Sequence, residues 1–308
     1  MNGATGAGLL FTAAGYAGGW HWYADLFAQF RPQYVVVLGA LLPLHLLARQ
    51  WMTALACVIA LGANLAEVLP HAAASPLAPA ESEAGPRIRC LSFNVLHRNH
   101  EYAAVQQYLR QCGADVLVFQ EVSPDWAEAL RGLADVYPHQ LPRGRMDSKG
   151  AAVLSRLPVR RLDFEEVPGH APIGAMIAEV EGDTPFTLLG VHSHKPTSAA
   201  GALSQHALFT WLAARCRTEN ARGRPVVLMG DFNSTPWARA FRQFTAQTQL
   251  RDTSRGVLFG ATWSVRLPQR LLIDHAFVSP EWQVLRREVG PDLGSDHRPL
   301  LLDLALPR

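Results

Sequence analysis

Lysine is nearly absent from this 308-residue chain: only Lys149 and Lys195 occur, against 26 arginines. Charge as a whole is scarce, at 18% of residues where a globular chain carries about 25%. The net charge of +2 is too small for a protein that coats nucleic acid, and the arginine skew follows composition rather than a binding design. Cysteine is scarce too. Cys57, Cys90, Cys112 and Cys216 show neither CxxC nor Cys/His metal spacing. That argues against a disulfide scaffold and for buried small apolar groups. No GxSxG elbow occurs, and Ser295-Asp296-His297 is no serine triad by adjacency alone.

The shortage of charge is local. Residues 1–80 hold four charged side chains, Asp25, Arg31, Arg49 and Glu67. Within them, 34–48 and 51–69 are apolar runs broken only by Arg49-Gln50. The second is long enough to span a bilayer, and the first needs a few flanking residues. The Gly/Ala-rich stretch 4–20 is a weaker third candidate. No basic n-region precedes these runs, so a cleaved signal peptide fits poorly. The expectation is a membrane anchor over 1–69 with two or three transmembrane helices, in contact with the lipid bilayer of the inner (cytoplasmic) membrane. A cytoplasmic Arg49-Gln50 turn would leave everything after Leu69 extracytoplasmic. Residues 70–86, with four prolines, read as a Pro/Ala-rich linker.

From Arg87 the pattern changes to alternating strands and helices, an α/β domain over 87–308. Short β-rich runs cover 88–95, 115–121, 151–155, 187–192, 226–231 and 271–278. Between them, 101–112 places Val105, Tyr108, Leu109 and Cys112 on one helical stripe. Ser123-Pro124 reads as an N-cap with proline at the first helical position, and 202–217 as a long amphipathic helix.

Several of these runs end in a polar residue suited to catalysis. Asn94, Glu121, His192 and Asp231 each close one, Asp274 interrupts another, and Asp296-His297 precedes the last strand. In open α/β sheets the carboxyl ends of strands meet at a ligand crevice, so this recurrence points to one convergent site. Glu121, Asp231, Asp274 and Asp296 are hard oxygen ligands suited to Mg²⁺, Mn²⁺ or Ca²⁺. Asn94 and Asn233 add amide groups that orient water or phosphate oxygens, and His192 and His297 handle protons near neutral pH. Carboxylates around a divalent ion with His and Asn donors are what phosphate-ester hydrolysis needs.

The segments SFNVL, VFQEV, VHSH, GDFNSTPW, IDHAFVS and GSDHRPL, in this order, resemble the endonuclease/exonuclease/phosphatase superfamily, and the layout resembles its membrane-anchored bacterial branch. The resemblance implies a DNase I-like α/β sandwich, two packed mixed sheets flanked by helices, behind an N-terminal transmembrane region. It implies Mg²⁺ (or Mn²⁺) held by Glu121 with Asn94, with Asp231 and Asp296 as further metal ligands. Asp231 would position or deprotonate water, Asn233 bind phosphate, Asp274 orient His297, and His192 donate to a phosphate oxygen. Whether Asp231 or His297 is the base stays open. Ser148 stands where many nuclease members carry tyrosine, and no arginine opens the strand at Gly174, so substrate grip departs from theirs. The expected activity is metal-dependent hydrolysis of a phosphodiester or phosphomonoester, lipid-linked or, alternatively, nucleic acid. An idle phosphate-binding module is the third reading, and no protein partner is expected.

Overall fold

A computed structural model describes residues 1–74, 84–257, 260–266 and 270–307. The catalytic-type region folds into two six-stranded mixed sheets. The first sheet comprises β1 (Ala84–Asn94), β2 (Val116–Gln120), β3 (His139–Arg143), β4 (Ala151–Ser155), β11 (Gln283–Val289) and β12 (Leu300–Pro307), in the order β11-β12-β1-β2-β4-β3. The second comprises β5 (Val159–Glu166), β6 (Gly174–Val180), β7 (Phe186–His192), β8 (Val226–Asp231), β9 (Arg251–Asp252) and β10 (Asp274–Val278), in the order β5-β6-β7-β8-β10-β9. Each sheet has one parallel pair at its centre, β1 with β2 and β7 with β8.

Layering explains why the central strands read as unbroken apolar runs: both faces are covered. Val116, Val118, Met176, Leu188, Val227 and Met229 fill the space between the sheets. On the outer face of the first sheet, Leu91, Phe93, Leu117 and Phe119 pack under α5 (Tyr102–Gln111) and α6 (Pro124–Arg131). On the second, Leu189, Leu228 and Phe277 pack under α7 (Ala199–Ala221) and α8 (Arg239–Thr248). The Ser123 hydroxyl accepts the Trp126 N–H at 3.1 Å, the cap expected at the start of α6. All four cysteines are free, three of them buried.

The N-terminal region forms α1 (Asn2–Tyr16), α2 (Trp22–Ala28), α3 (Arg31–Leu47) and α4 (Trp51–Ala72). Only α4 is by itself long and apolar enough to cross a membrane; α2 and α3 meet the same test together but are bent by 55°. Helix α4 runs to Ala72, past the expected boundary at 69. Pro70 lies inside its last turn, where the missing N–H removes one intrahelical bond. Strand β1 begins at Ala84, inside the expected 70–86 linker, by pairing with Pro307 and then Ala305 of β12. Residues 75–83, most of that linker, lie outside the described residues.

These helices bury a polar network beside a small apolar cluster of Leu38, Cys57 and Ala60, and are apolar outside. Thr5, Thr12, Arg31, His45 and Asn64 are buried among them. Thr5 Oγ1 and His45 Nε2 lie 2.8 Å apart, and Asn64 Nδ2 donates to Thr12 Oγ1 at 2.7 Å. Arg31 donates to Asn64 at 3.2 Å and lies over the Tyr16 ring at 4.2 Å. Among the described residues, every exposed large apolar side chain except Met146 and Leu203 belongs to residues 1–69.

One end of the helical region is fastened to the sandwich. The Asp25 carboxylate accepts the N–H groups of Arg239 and Ala240 at 2.7 and 3.1 Å, capping α8, whose own N-cap Ala238 has no side-chain acceptor. Gln29 Oε1 accepts the Thr235 N–H at 2.7 Å, Gln33 donates to the Arg270 carbonyl at 3.0 Å, and Glu67 pairs with Arg242.

Candidate active site

The parallel pairs of both sheets run toward the same edge of the sandwich, so their carboxyl ends face one cleft. Asn94 ends β1 and Glu121 follows β2; His192 and Asp231 end β7 and β8 as register partners. Strand β10 is antiparallel to β8, so its first residue, Asp274, sits opposite Asp231 at the same edge. His297 arrives on the loop before β12. Sequence positions spanning some 200 residues are thereby gathered by sheet topology alone.

Local backbone features hold this arrangement. Gly230 has φ +152°, and a Cβ there would lie 2.0 Å from the Val191 carbonyl oxygen, so only glycine lets β8 approach β7 just before Asp231. Glu121 and Asn233 adopt left-handed φ values of +58° and +46°. That conformation costs a non-glycine residue about 1–3 kcal/mol and is kept where surrounding contacts over-determine it. Here Glu121 is held by His97, whose Nδ1 is 2.9 Å from Oε2. Asn233 is held at both ends: its N–H donates to Asp231 Oδ1 at 2.8 Å and its Nδ2 to the Ser193 carbonyl at 3.0 Å.

Asp231 is the hub. Asn94 Nδ2 donates to its Oδ2 at 3.0 Å and to Glu121 Oε1 at 3.3 Å. His192 Nε2 and His297 Nε2 lie 3.6 and 3.7 Å from the same Oδ2. Behind His297, Nδ1 is 2.9 Å from Asp274 Oδ2, and Thr262 donates its hydroxyl to that oxygen. Ser295 ties the loop to β1, donating to the Asn94 carbonyl at 2.7 Å and accepting the His297 N–H at 3.1 Å.

Protonation follows from burial and neighbours. Burial pushes the Asp231 carboxyl up to about 7, with the Asp274 charge adding and His297 opposing. Burial disfavours a cationic His297, but Asp274 and Asp231 outweigh it and raise the imidazole to about 9. Burial, reinforced by Lys149, lowers His192 to about 3. Burial also opposes ionisation of Glu121, yet His192 and the bonds from His97 and Asn94 bring it down to about 2. At neutral pH the cleft therefore holds an ionised Glu121, a neutral His192, a cationic His297, and an Asp231 poised to exchange a proton.

The donor set suits a hard divalent cation. Glu121 offers an ionised carboxylate, and Asp296 Oδ1 is a buried carboxylate oxygen with no hydrogen-bond partner. The other Asp296 oxygen accepts Trp263 Nε1–H at 3.0 Å. Asn94 turns its NH₂ to the carboxylates while its oxygen accepts the Leu96 N–H at 3.0 Å, which leaves one lone pair of that oxygen free. Asp231, Asp274 and His297 also present donor atoms within 4.8 Å of one another. A protonated His297 has no lone pair to give, which disfavours that trio as a cation site.

His97 and Lys149 also belong to the site. Lys149 lies within electrostatic reach of both Glu121 and Asp231. The one available signal for Lys149 was the rarity of lysine itself. His275, beside the catalytic-type Asp274, instead packs against Phe241 with ring centroids 4.3 Å apart and bonds the Ser234 carbonyl at 2.9 Å.

The Endonuclease/Exonuclease/phosphatase family model matches residues 91–297. No curated protein matches the chain. Among solved structures, a functionally unknown conserved protein from Enterococcus faecalis V583 aligns with TM-score 0.60 at 20% identity, covering 71% of this chain and all of its own. The 3′ phosphatase NExo from Neisseria, solved with a product DNA hairpin, aligns with TM-score 0.59 at 22% identity, covering 70% of this chain and 98% of its own. Truncated TDP2 from Caenorhabditis elegans aligns with TM-score 0.59 at 16% identity, covering 72% and 98%. The chain belongs to the endonuclease/exonuclease/phosphatase family.

Proposed function

We propose that this chain is a membrane-anchored, divalent-metal-dependent phosphoesterase that hydrolyses a phosphodiester or phosphomonoester of a lipid-linked substrate. The observation that carries the reading is the meeting of Asn94, His192 and His297 on one oxygen of Asp231. Asp231, with its carboxyl near neutral pKa, takes the proton of the attacking water. The water oxygen bonds to phosphorus as the ester P–O bond breaks, and the bonding pair leaves on the alcohol oxygen, which takes a proton from solvent. His297 is cationic through Asp274, so it faces the charge building on the phosphoryl oxygens rather than serving as base. His192 and Asn233 orient those oxygens. Glu121, with Asn94 and with Asp296 as a further candidate, would hold Mg²⁺ or Mn²⁺, which neutralises phosphate charge when bound.

Membrane anchorage rests on the apolar exterior of residues 1–69 around a hydrogen-bonded polar network, an arrangement that suits lipid and is costly in water. Helices α1, α3 and α4 run up, down and up, as the pairs Thr5 with His45 and Thr12 with Asn64 require. Met1 and Arg49 therefore share the end opposite the sandwich. With Arg49 cytoplasmic, the catalytic region is extracytoplasmic at the inner membrane. A reporter fused after Arg308 tests this: it should be active only outside the cytoplasm.

A nuclease is the second reading, favoured by the DNA product in the NExo structure. An activity screen of the full-length protein in detergent, across phospholipids and lipid-linked phosphates, plasmid DNA, RNA and sugar phosphates, separates the two. Phosphate release from lipid substrates supports the first reading; cleavage of DNA or RNA alone supports the second.

A further inference from the structure

The two lysines of the chain open onto a single cavity. It occupies about 490 Å³ beside the catalytic centre and is lined by Glu121, His192, Lys149, His194, Lys195 and Ser204. Arginine supplies 26 of the 28 basic side chains, so the meeting of both lysines at one cavity sets this place apart from the rest of the molecule. Many of those arginines are engaged: Arg89 pairs with Asp303, Arg160 with Glu179, Arg215 with Glu165 and Arg224 with Glu181. Neither lysine ammonium has an ion-pair or hydrogen-bond partner among the described residues. They lie close enough to feel each other's charge as well as that of Glu121 or His192.

Three further features point the same way. His194 shares a 2.6 Å hydrogen bond with Ser204, which presents the imidazole at the cavity wall. The first turn of α7, a 23-residue helix capped by Ser198, contributes Ala200 and Gly201 to the lining, so the positive end of a long helix faces the cavity. His192 Nδ1 is buried with no partner. Two unpaired ammonium groups, a helix N-terminus and two imidazoles make a site for an anion, and a lysine is a compact point charge well suited to phosphate.

We propose that this cavity is a second phosphate subsite: it holds a phosphoryl group that the substrate carries in addition to the one being hydrolysed, and does not cleave it. The inference rests on the phosphoesterase reading and narrows its substrate class to molecules bearing two phosphoryl groups. One lies over Glu121 and Asp231, and the other between Lys149 and Lys195. A substrate with a single phosphodiester leaves the space between the two lysines unfilled.

Two measurements on the full-length protein in detergent test it. In the first, inorganic phosphate is titrated into metal-free protein by calorimetry. Binding should weaken about tenfold or more in the Lys149→Met/Lys195→Met double variant and return in Lys149→Arg/Lys195→Arg. Unchanged binding in the Met pair overturns the subsite. Vesicles of phosphatidylcholine doped with phosphatidic acid are then offered as competitor: displacement assigns the phosphate to a lipid, and no displacement to a soluble molecule.

In the second, KM is compared for bis(p-nitrophenyl) phosphate and for a diester carrying an additional terminal phosphate. The Met pair should raise KM for the two-phosphate probe at least about tenfold more than for the other. An equal loss on both probes places the lysines on the scissile phosphate and overturns the inference while leaving the phosphoesterase standing. Failure of the wild type on every probe overturns the phosphoesterase reading, and the calorimetry still decides the subsite.

Discussion

His297 stands between two carboxylates, with Nδ1 2.9 Å from Asp274 and Nε2 3.7 Å from Asp231. The two contacts differ in kind. Asp274 is held by Thr262 and keeps the imidazole oriented and charged, whereas Asp231 shares its reactive oxygen with Asn94 and His192. In the proposed mechanism the two carboxylates divide the labour, Asp274 holding the imidazole and Asp231 taking the proton.

The pH dependence of kcat/KM should be bell-shaped. Activity needs Asp231 ionised, so it rises as pH passes about 7, and it needs His297 protonated, so it falls as pH passes about 9. Asp274→Asn removes the nearer charge, and the falling limb should shift toward acid. A profile of the variant with an unmoved falling limb would contradict the assignment of that limb to His297.

Stability should respond to the same group in a definite direction. The folded-state value for His297 is raised from 6.5 to about 9, so its contribution is complete below about pH 6.5 and disappears as pH rises through about 9. Wild type and His297→Gln should therefore differ most in chemical denaturation at pH 6 and converge above pH 9.

Asp25 caps α8 from outside the catalytic region, and loss of such a cap costs about 0.5–2 kcal/mol. Asp25→Ala should lower the melting temperature of the full-length protein. Gln29→Ala frees the Thr235 N–H two residues beyond Asn233, so it should lower kcat more than it changes KM. If kcat is unaffected, the helical region anchors the enzyme without shaping its site.

Glu121→Gln keeps the shape of the carboxylate and removes its charge. Mn²⁺ affinity, read by electron paramagnetic resonance of the free ion, should fall at least about tenfold, while Asp296→Asn should have a smaller effect because one of its oxygens is committed to Trp263. Equal losses would make Asp296 a full partner of Glu121.

How much of this could be read beforehand followed burial. Strands β2, β4 and β8 are covered on both faces, so their apolar runs and the polar residues ending them stood out. Strands β3 and β5 are half-exposed, and VRRLDFEE in β5 carries no hydrophobic run to notice. Helix α8 has no capping side chain at its own N-terminus because Asp25 supplies it from 214 residues away, a relation local sequence does not encode. His97 meets Glu121 where Leu96 and Glu121 both take left-handed backbone conformations, which the sequence around them does not signal. The bond that Trp263 donates to one Asp296 oxygen is equally invisible to local sequence, because the two residues lie 33 apart.

The central claim is that these side chains form one metal-dependent hydrolytic site. Its most direct test is the rate at which the full-length protein hydrolyses bis(p-nitrophenyl) phosphate with Mg²⁺ or Mn²⁺, for wild type, Glu121→Ala and His297→Ala. The account predicts activity abolished by EDTA and lowered about 10²–10⁴-fold in His297→Ala, with a comparable loss in Glu121→Ala. Rates within about twofold of wild type in both variants would contradict it.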